Sequence, residues 1–307
     1  MDYRRANRAF LYMILSTIGL VFVISLWYLN GGPEISILAN NFLSEAVVII
    51  PAVAAVLYSG EKLSVLVPFH KIKASSVFLT IVYVICLFPL VACVNYISML
   101  FVENIVTAIS DEVLAMPMWV MIFAIGIFGP FIEEVVFRGV ILQTYQRTGR
   151  IVGSIILSSI LFGMMHMNFN QFAYGVVMGV MFALLVEATG SVLTSFIAHA
   201  TFNTIEVVMM FLTEDAVDEA TEYLDEMGMD FGAAPEIGYA IYLLAAVVIF
   251  TTIAIFIVRK ISENEGRKAF FLSITHSRKQ GYKLVTLPLI FAMTICVLYM
   301  IFYASLT

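Results

Sequence analysis

The sequence predicts an all-α, polytopic membrane protein: one membrane domain over residues 1–307, built as a transmembrane bundle of about nine helices. Three observations carry that prediction. Of the 307 residues, 62% are hydrophobic and only 12% are charged, with a mean hydropathy of +0.99, whereas soluble domains carry about 25% charged residues. The apolar residues are gathered into runs near the ~20 that cross a bilayer as a helix. Lys and Arg fall between alternate runs, as they do when every second loop faces the cytoplasm.

Taken in order, the first run covers 9–29 and follows the basic start MDYRRANR. Signal peptides share that order, but this run exceeds an h-region of about 7 to 15 residues and no small-residue cleavage site follows, so a retained helix is expected. The second run, 35–58, contains Glu45 and Pro51, which leaves its start uncertain; 75–100 and 117–141 follow. Runs 151–167 and 172–189 are short and joined only by NFNQ, which predicts a tight hairpin. The last three are 191–212, 237–258 and 284–304. Glycine and proline recur inside the runs, and membrane helices tolerate them where neighbours satisfy the freed backbone groups. Between the seventh and eighth runs the acidic stretch 213–236 has Val217, Ala220, Leu224 and Met227 at helical spacing, which predicts a short helix on the membrane surface.

With the N-terminus cytoplasmic, nine crossings place 1–8, 59–74, 142–150 and 259–283 inside. These segments hold three, three, two and seven basic residues, fifteen of the sixteen Lys and Arg, Arg138 being the exception. The expected topology is therefore N-in and C-out. The net charge of −6 then describes an acidic outer face and a basic inner one, and gives no reason to expect a nucleic-acid partner. The basic loop 259–283 anchors the topology and can touch anionic membrane lipids. Cys86, Cys93 and Cys296 all lie inside apolar runs without ligand spacing and are expected to pack as small hydrophobes.

The informative residues are polar ones within the spans. The fourth run contains GPFIEEVVFRG, residues 129–139. A charge at membrane depth costs several kcal/mol, about 2.5–3.5 on insertion scales, so it normally faces the bundle interior or water and has a partner. Glu134 and Arg138, four apart, can meet on one helix face. Glu133 points about 100° away and has no local partner. Two further clusters could supply one: FGMMH, with Phe162 and His166 on one face at the end of the fifth run, and HATFN, with His199 and Asn203 on one face of the seventh. Gly163, Ala198 and Ala200 nearby would let helices approach closely. His70 and His276 lie instead in loops rich in basic residues and are expected to be solvated. Glu206, seven residues beyond His199, shares its helical face.

In this pattern the chain resembles the CAAX prenyl endopeptidase and bacteriocin-processing (CPBP, or Abi) intramembrane proteases, over about residues 115–212. Their Glu-Glu-x-x-x-Arg, Phe-x-x-x-His and His-x-x-x-Asn motifs read here as EEVVFR at 133–138, FGMMH at 162–166 and HATFN at 199–203, in the same order. The resemblance implies that Glu133 is the general base, with His166 helping it polarise the attacking water. It implies that His199 and Asn203 stabilise the oxyanion, with Glu134 and Arg138 holding the helix. No cofactor is the preferred expectation. Zinc bound by Glu133 or Glu134 with His166 and His199 stays open, since family members are often labelled metalloproteases, although no His-Glu-x-x-His is present. A proton-coupled transporter and a non-catalytic immunity protein are the other readings. The expected partners are membrane lipids and a membrane-associated peptide or protein substrate, and the expected location is a bacterial plasma membrane.

Overall fold

The computed structural model describes residues 1–105, 109–226, 234–274 and 283–305, which form helices and connections with no strand among them. Nine long helices carry the architecture. They are α1 (Tyr3–Leu29), α2 (Ile37–Tyr58), α3 (Ala74–Met99), α4 (Met118–Gln146), α5 (Ile151–Met165), α6 (Phe169–Thr189), α7 (Val192–Glu226), α8 (Ala234–Asn264) and α9 (Leu287–Ala304). Eight are long and apolar enough to cross a membrane, and α5, at 15 residues, is shorter. This is a multi-pass membrane protein.

Local sequence sets several helix ends. Asp2 caps α1 by accepting from the Arg5 amide, Ser36 caps α2 by accepting from Ala39, and Asn168 caps α6 by accepting from Gln171. Gly190 closes α6 at φ +74°, in the left-handed region that glycine enters without strain. The α5–α6 connection is tighter than NFNQ implies, because α6 already begins at Phe169. Only His166, Met167 and Asn168 make the turn, with Met167 at φ 57°. The two helices then pack through small residues. A Cβ on Gly179 would lie 2.7 Å from that of Ser159, and one on Gly175 would lie 3.2 Å from the Cα of Gly163, a small-xxx-small contact on both helices.

Two expectations change. The fourth span runs to Gln146 rather than 141, and is wound in an unusual way: π-helical turns at Ile122–Phe128 and Val135–Ile141 bracket the α-helical Gly129–Glu134. Such turns often occur at functional sites. The helical spacing expected from Val217 onward is present, but as a continuation of α7 to Glu226 rather than a separate surface helix, because no breaker interrupts residues 192–226. Met227 and His276 lie outside the described residues; His70 is exposed, as expected.

The basic segments meet at one end of the bundle. Arg5 Nη1 donates to the Tyr58 carbonyl at 3.0 Å, Arg147 pairs with Glu61 at 2.8 Å, and the amino terminus also reaches Glu61. Ser191 Oγ donates to the His70 carbonyl, Glu265 accepts from the Lys73 amide, and Asn7 Nδ2 donates to the Leu284 carbonyl. At the opposite end Asn170 Nδ2 donates to Asn95 Oδ1, and Ser98, Phe169 and Ala304 line one cleft. The first residue and residue 304 thus sit at opposite ends, as an odd number of crossings requires.

Candidate active site

The site is built where α4, α5, α6 and α7 meet. Glu134 and Arg138 form the buried pair expected from their spacing, Oε1 to Nη1 2.9 Å, and the two side chains are 0% and 2% exposed. The guanidinium is held by more than this carboxylate. Its Cζ lies 4.2 Å from the centroid of Phe162 and 5.4 Å from that of Phe182, so negative ring faces stand where hydrogen-bond acceptors would otherwise be needed. Phe162 also meets the rings of His166 and His199 edge-on, at 5.2 and 5.8 Å. That explains the phenylalanine of FGMMH: one ring spaces a cation and two imidazoles.

His199 stands between the two glutamates. Its Nδ1 is 3.0 Å from Glu134 Oε1 and its Nε2 is 3.5 Å from Glu133 Oε2. Glu134 is thereby shared by Arg138 and His199, while Glu133, whose side chain is 21% exposed, keeps an open side. His166 caps the C-terminus of α5, and its Nδ1 is 3.1 Å from the Phe162 carbonyl. A carbonyl only accepts, so Nδ1 carries the proton and Nε2 is left for the cavity.

Asn203 is placed by an irregularity in α4. In the first π turn the Gly129 amide bonds back five residues to the Ala124 carbonyl. By the same step the Ile125 carbonyl would take its hydrogen bond from residue 130, but that residue is Pro130 and has no N–H. Asn203 Nδ2 supplies the missing donor, at 3.1 Å from the Ile125 oxygen. One amide hydrogen is so used, and the second remains.

Glu133, His166, His199 and Asn203 line one cavity of about 270 Å³. Phe162, Tyr174 and Met178 add to its wall, and its lining extends through Ile109, Val113 and Met210 toward the end away from the basic segments. The structure therefore brings together all four residues expected to act and puts Glu134 and Arg138 behind them. His199 Nε2 also lies beside Glu133, and His166 faces the same cavity from α5. Glu206 lines this cavity and also the neighbouring cleft with Tyr174.

Sequence reading missed two residues. Phe182 is fully buried on α6, its ring 5.1 Å from that of His199. Nothing separates it in sequence from any other apolar residue of a span. Glu45 on α2 also lines the cavity. Its signal was an acid within an apolar run, which bore only on where the helix begins.

Among the described residues no group of three His, Cys, Asp or Glu side chains is arranged to hold a metal ion. Glu134 Oε1 faces Arg138 and His199, and His166 Nδ1 faces a carbonyl.

Residues 115–205 match the family model described as type II CAAX prenyl endopeptidase Rce1-like. The chain is also similar to two bacterial proteins. It is 34% identical over 103 residues to YdiL of Bacillus subtilis (strain 168), whose name marks it as a candidate membrane peptidase; the match takes in 33% of this chain and 41% of that one. It is 35% identical over 109 residues to the membrane-embedded CAAX protease MroQ of Staphylococcus aureus (strain USA300), covering 34% and 44%. Each match thus spans less than half the length of the relative, while the family model falls on the part of the chain that holds the site. No solved structure matches.

Proposed function

We propose that the protein is an intramembrane endopeptidase that hydrolyses a peptide bond of a membrane-associated protein or peptide, with Glu133 as general base and no metal. The observation that carries this reading is the convergence of Glu133, His166, His199 and Asn203 from three helices on one cavity, with the Glu134–Arg138 pair holding His199 from behind. The matched family and the names of the two relatives support the same class of reaction.

In this mechanism a water sits between Glu133 and His166 Nε2. Glu133 takes its proton as the oxygen attacks the scissile carbonyl carbon, and the carbonyl oxygen becomes an oxyanion. The free Asn203 N–H and a protonated His199 Nε2 donate to it. Such donors are worth more in a water-poor site than in water, because they are fixed before charge develops. Glu134 accepts a hydrogen bond from His199 Nδ1–H and keeps the ring oriented. Collapse of the intermediate then breaks the C–N bond as Glu133 returns its proton to the leaving nitrogen. A carboxylate can act in both directions because it is base in one step and acid in the next.

The test is hydrolysis by purified full-length protein in detergent, before and after exhaustive chelation. Cleavage that survives chelation is the expected result. Asn203→Ala should slow turnover by about 100-fold to 1000-fold, the usual loss for one oxyanion donor, with little change in KM. Activity lost to chelation and restored by stoichiometric zinc would replace glutamate catalysis with metal catalysis. Absence of cleavage, with Glu133-dependent movement of protons or solute across proteoliposomes, would make the protein a transporter.

A further inference from the structure

Glu45 is an acid that the mechanism above does not use. It projects from α2 into the cavity, is 7% exposed, and its Oε2 has no hydrogen-bond partner. One helical turn earlier on the same face, Asn41 lines the cavity as well, and its Oδ1 also lacks a partner. A buried carboxylate oxygen left unpaired is costly, more so at membrane depth, and normally marks a place where a partner belongs. The cavity lining contains no lysine or arginine that could be this partner; it holds three carboxylates, Glu45, Glu133 and Glu206, and the imidazole of His199 is already held by Glu134. Arg138 is already committed to Glu134 and the two rings. Both orphan atoms are acceptors, so the missing group is a donor, and the surplus of carboxylates makes it a cation.

Its position follows from α4. A Cβ on Gly129 would lie 3.1 Å from Glu45 Oε1, so the carboxylate rests against that bare backbone. Residues 129–134 are α-helical, and Glu133 is therefore about one turn, roughly 6 Å along the axis, from the point Glu45 touches. Resting on the reading of this cavity as a protease site, we infer that Glu45, assisted by Asn41, recognises a lysine or arginine side chain of the substrate next to the bond that Glu133 attacks. A proton shared directly between the two carboxyl groups is the competing role, and a comparison of matched peptides separates the two.

The experiment uses matched apolar peptides that differ only in lysine or norleucine at one position, scanned across the cleavage site, with full-length protein in detergent. At one position beside the cut the lysine peptide should have a kcat/KM about tenfold or more above its norleucine twin, since a site built for a polar group discriminates strongly. Glu45→Gln should bring that ratio close to 1 by slowing only the lysine peptide. Glu45→Lys should shift preference to a glutamate peptide, which a merely structural role would not do. Equal slowing of both peptides by Glu45→Gln would overturn the inference in favour of a role through Glu133, and unchanged rates for both peptides would overturn it outright. Equilibrium binding of the same peptides to Glu133→Gln protein reads recognition without hydrolysis. Lysine preference there that is lost in Glu133→Gln/Glu45→Gln, with no cleavage by the wild type, would retain the cation site and remove the protease reading; no preference in either measurement removes the inference.

Discussion

Two adjacent glutamates, Glu133 and Glu134, differ in what surrounds them and so in what removing them should do. Glu134 is fully buried between Arg138 and His199, while Glu133 faces the cavity. Arg138→Ala leaves Glu134 buried without its cation, and breaking a buried pair this way costs about 3–5 kcal/mol. The expected outcome is a sharp fall in folded protein in the membrane, measured by monodisperse yield in detergent, with activity lost alongside. Glu133→Gln keeps shape and hydrogen-bonding capacity, so yield should hold while turnover disappears. Equal yield and equal activity for the two variants would contradict this division. At this scale the sequence was readable in part. The i,i+4 spacing of Glu134 and Arg138 is enough to predict their contact, because both lie on one helix. The place of His199 between two carboxylates depends on how α7 sits against α4, and spacing along one helix carries no information about that.

Among the elements, α4 and the α5–α6 pair position the chemistry. The loss of one backbone N–H at Pro130 leaves the Ile125 carbonyl for Asn203. Pro130→Ala would restore a backbone donor that competes for this carbonyl and lets the Asn203 amide turn. The expected result is a kcat about tenfold lower or more, at nearly constant KM, because the displaced group acts chiefly on the transition state. Unchanged kcat would show that Asn203 does not depend on the π turn. In the α5–α6 pair, Gly179→Leu would drive a side chain into Ser159. Overpacking of this kind typically costs about 1–3 kcal/mol, and it would also shift His166 at the end of α5. Thermal unfolding in detergent should move down and activity should fall, whereas Gly19→Ala on α1, where a Cβ meets nothing within 4 Å, should leave both alone. Helix existence was legible from apolar runs, but the π turns were not. The first involves the N–H missing at Pro130 in the context of neighbouring helices, and nothing local in the sequence marks the second.

For the whole molecule, the described Lys and Arg residues other than Arg138 belong to segments gathered at one end, and the cavity rim lies toward the other. From the positive-inside rule we propose that the N-terminus is cytoplasmic and residue 304 outside, in a bacterial plasma membrane. In a background without the three native cysteines, Leu100→Cys should react with an impermeant thiol reagent on intact cells. Lys62→Cys should be protected until the membrane is opened. The reverse pattern would invert the topology and move the cavity rim to the cytoplasm. The lipid-facing surface is consistent with this placement: Phe22, Ile249 and Phe302 are all more than half exposed on the outer helices, where hydrocarbon rather than water is the solvent.

By itself the sequence determined that this is a multi-pass helical protein, which loops share a side, and which three motifs are candidates for chemistry. These properties depend on local runs, on charge counted between runs, and on spacing within single helices, all of which are one-dimensional. Only the tertiary structure decided that Glu133, His166, His199 and Asn203 share one cavity, that Phe182 backs His199, and that Glu45 arrives from α2 without a partner. Lateral packing of membrane helices is set by small-residue contacts and buried polar pairs rather than by the gross hydrophobicity that makes each helix insert. An apolar run therefore identifies a span without saying which of its faces meets which neighbour, and in this protein the site is made of those faces.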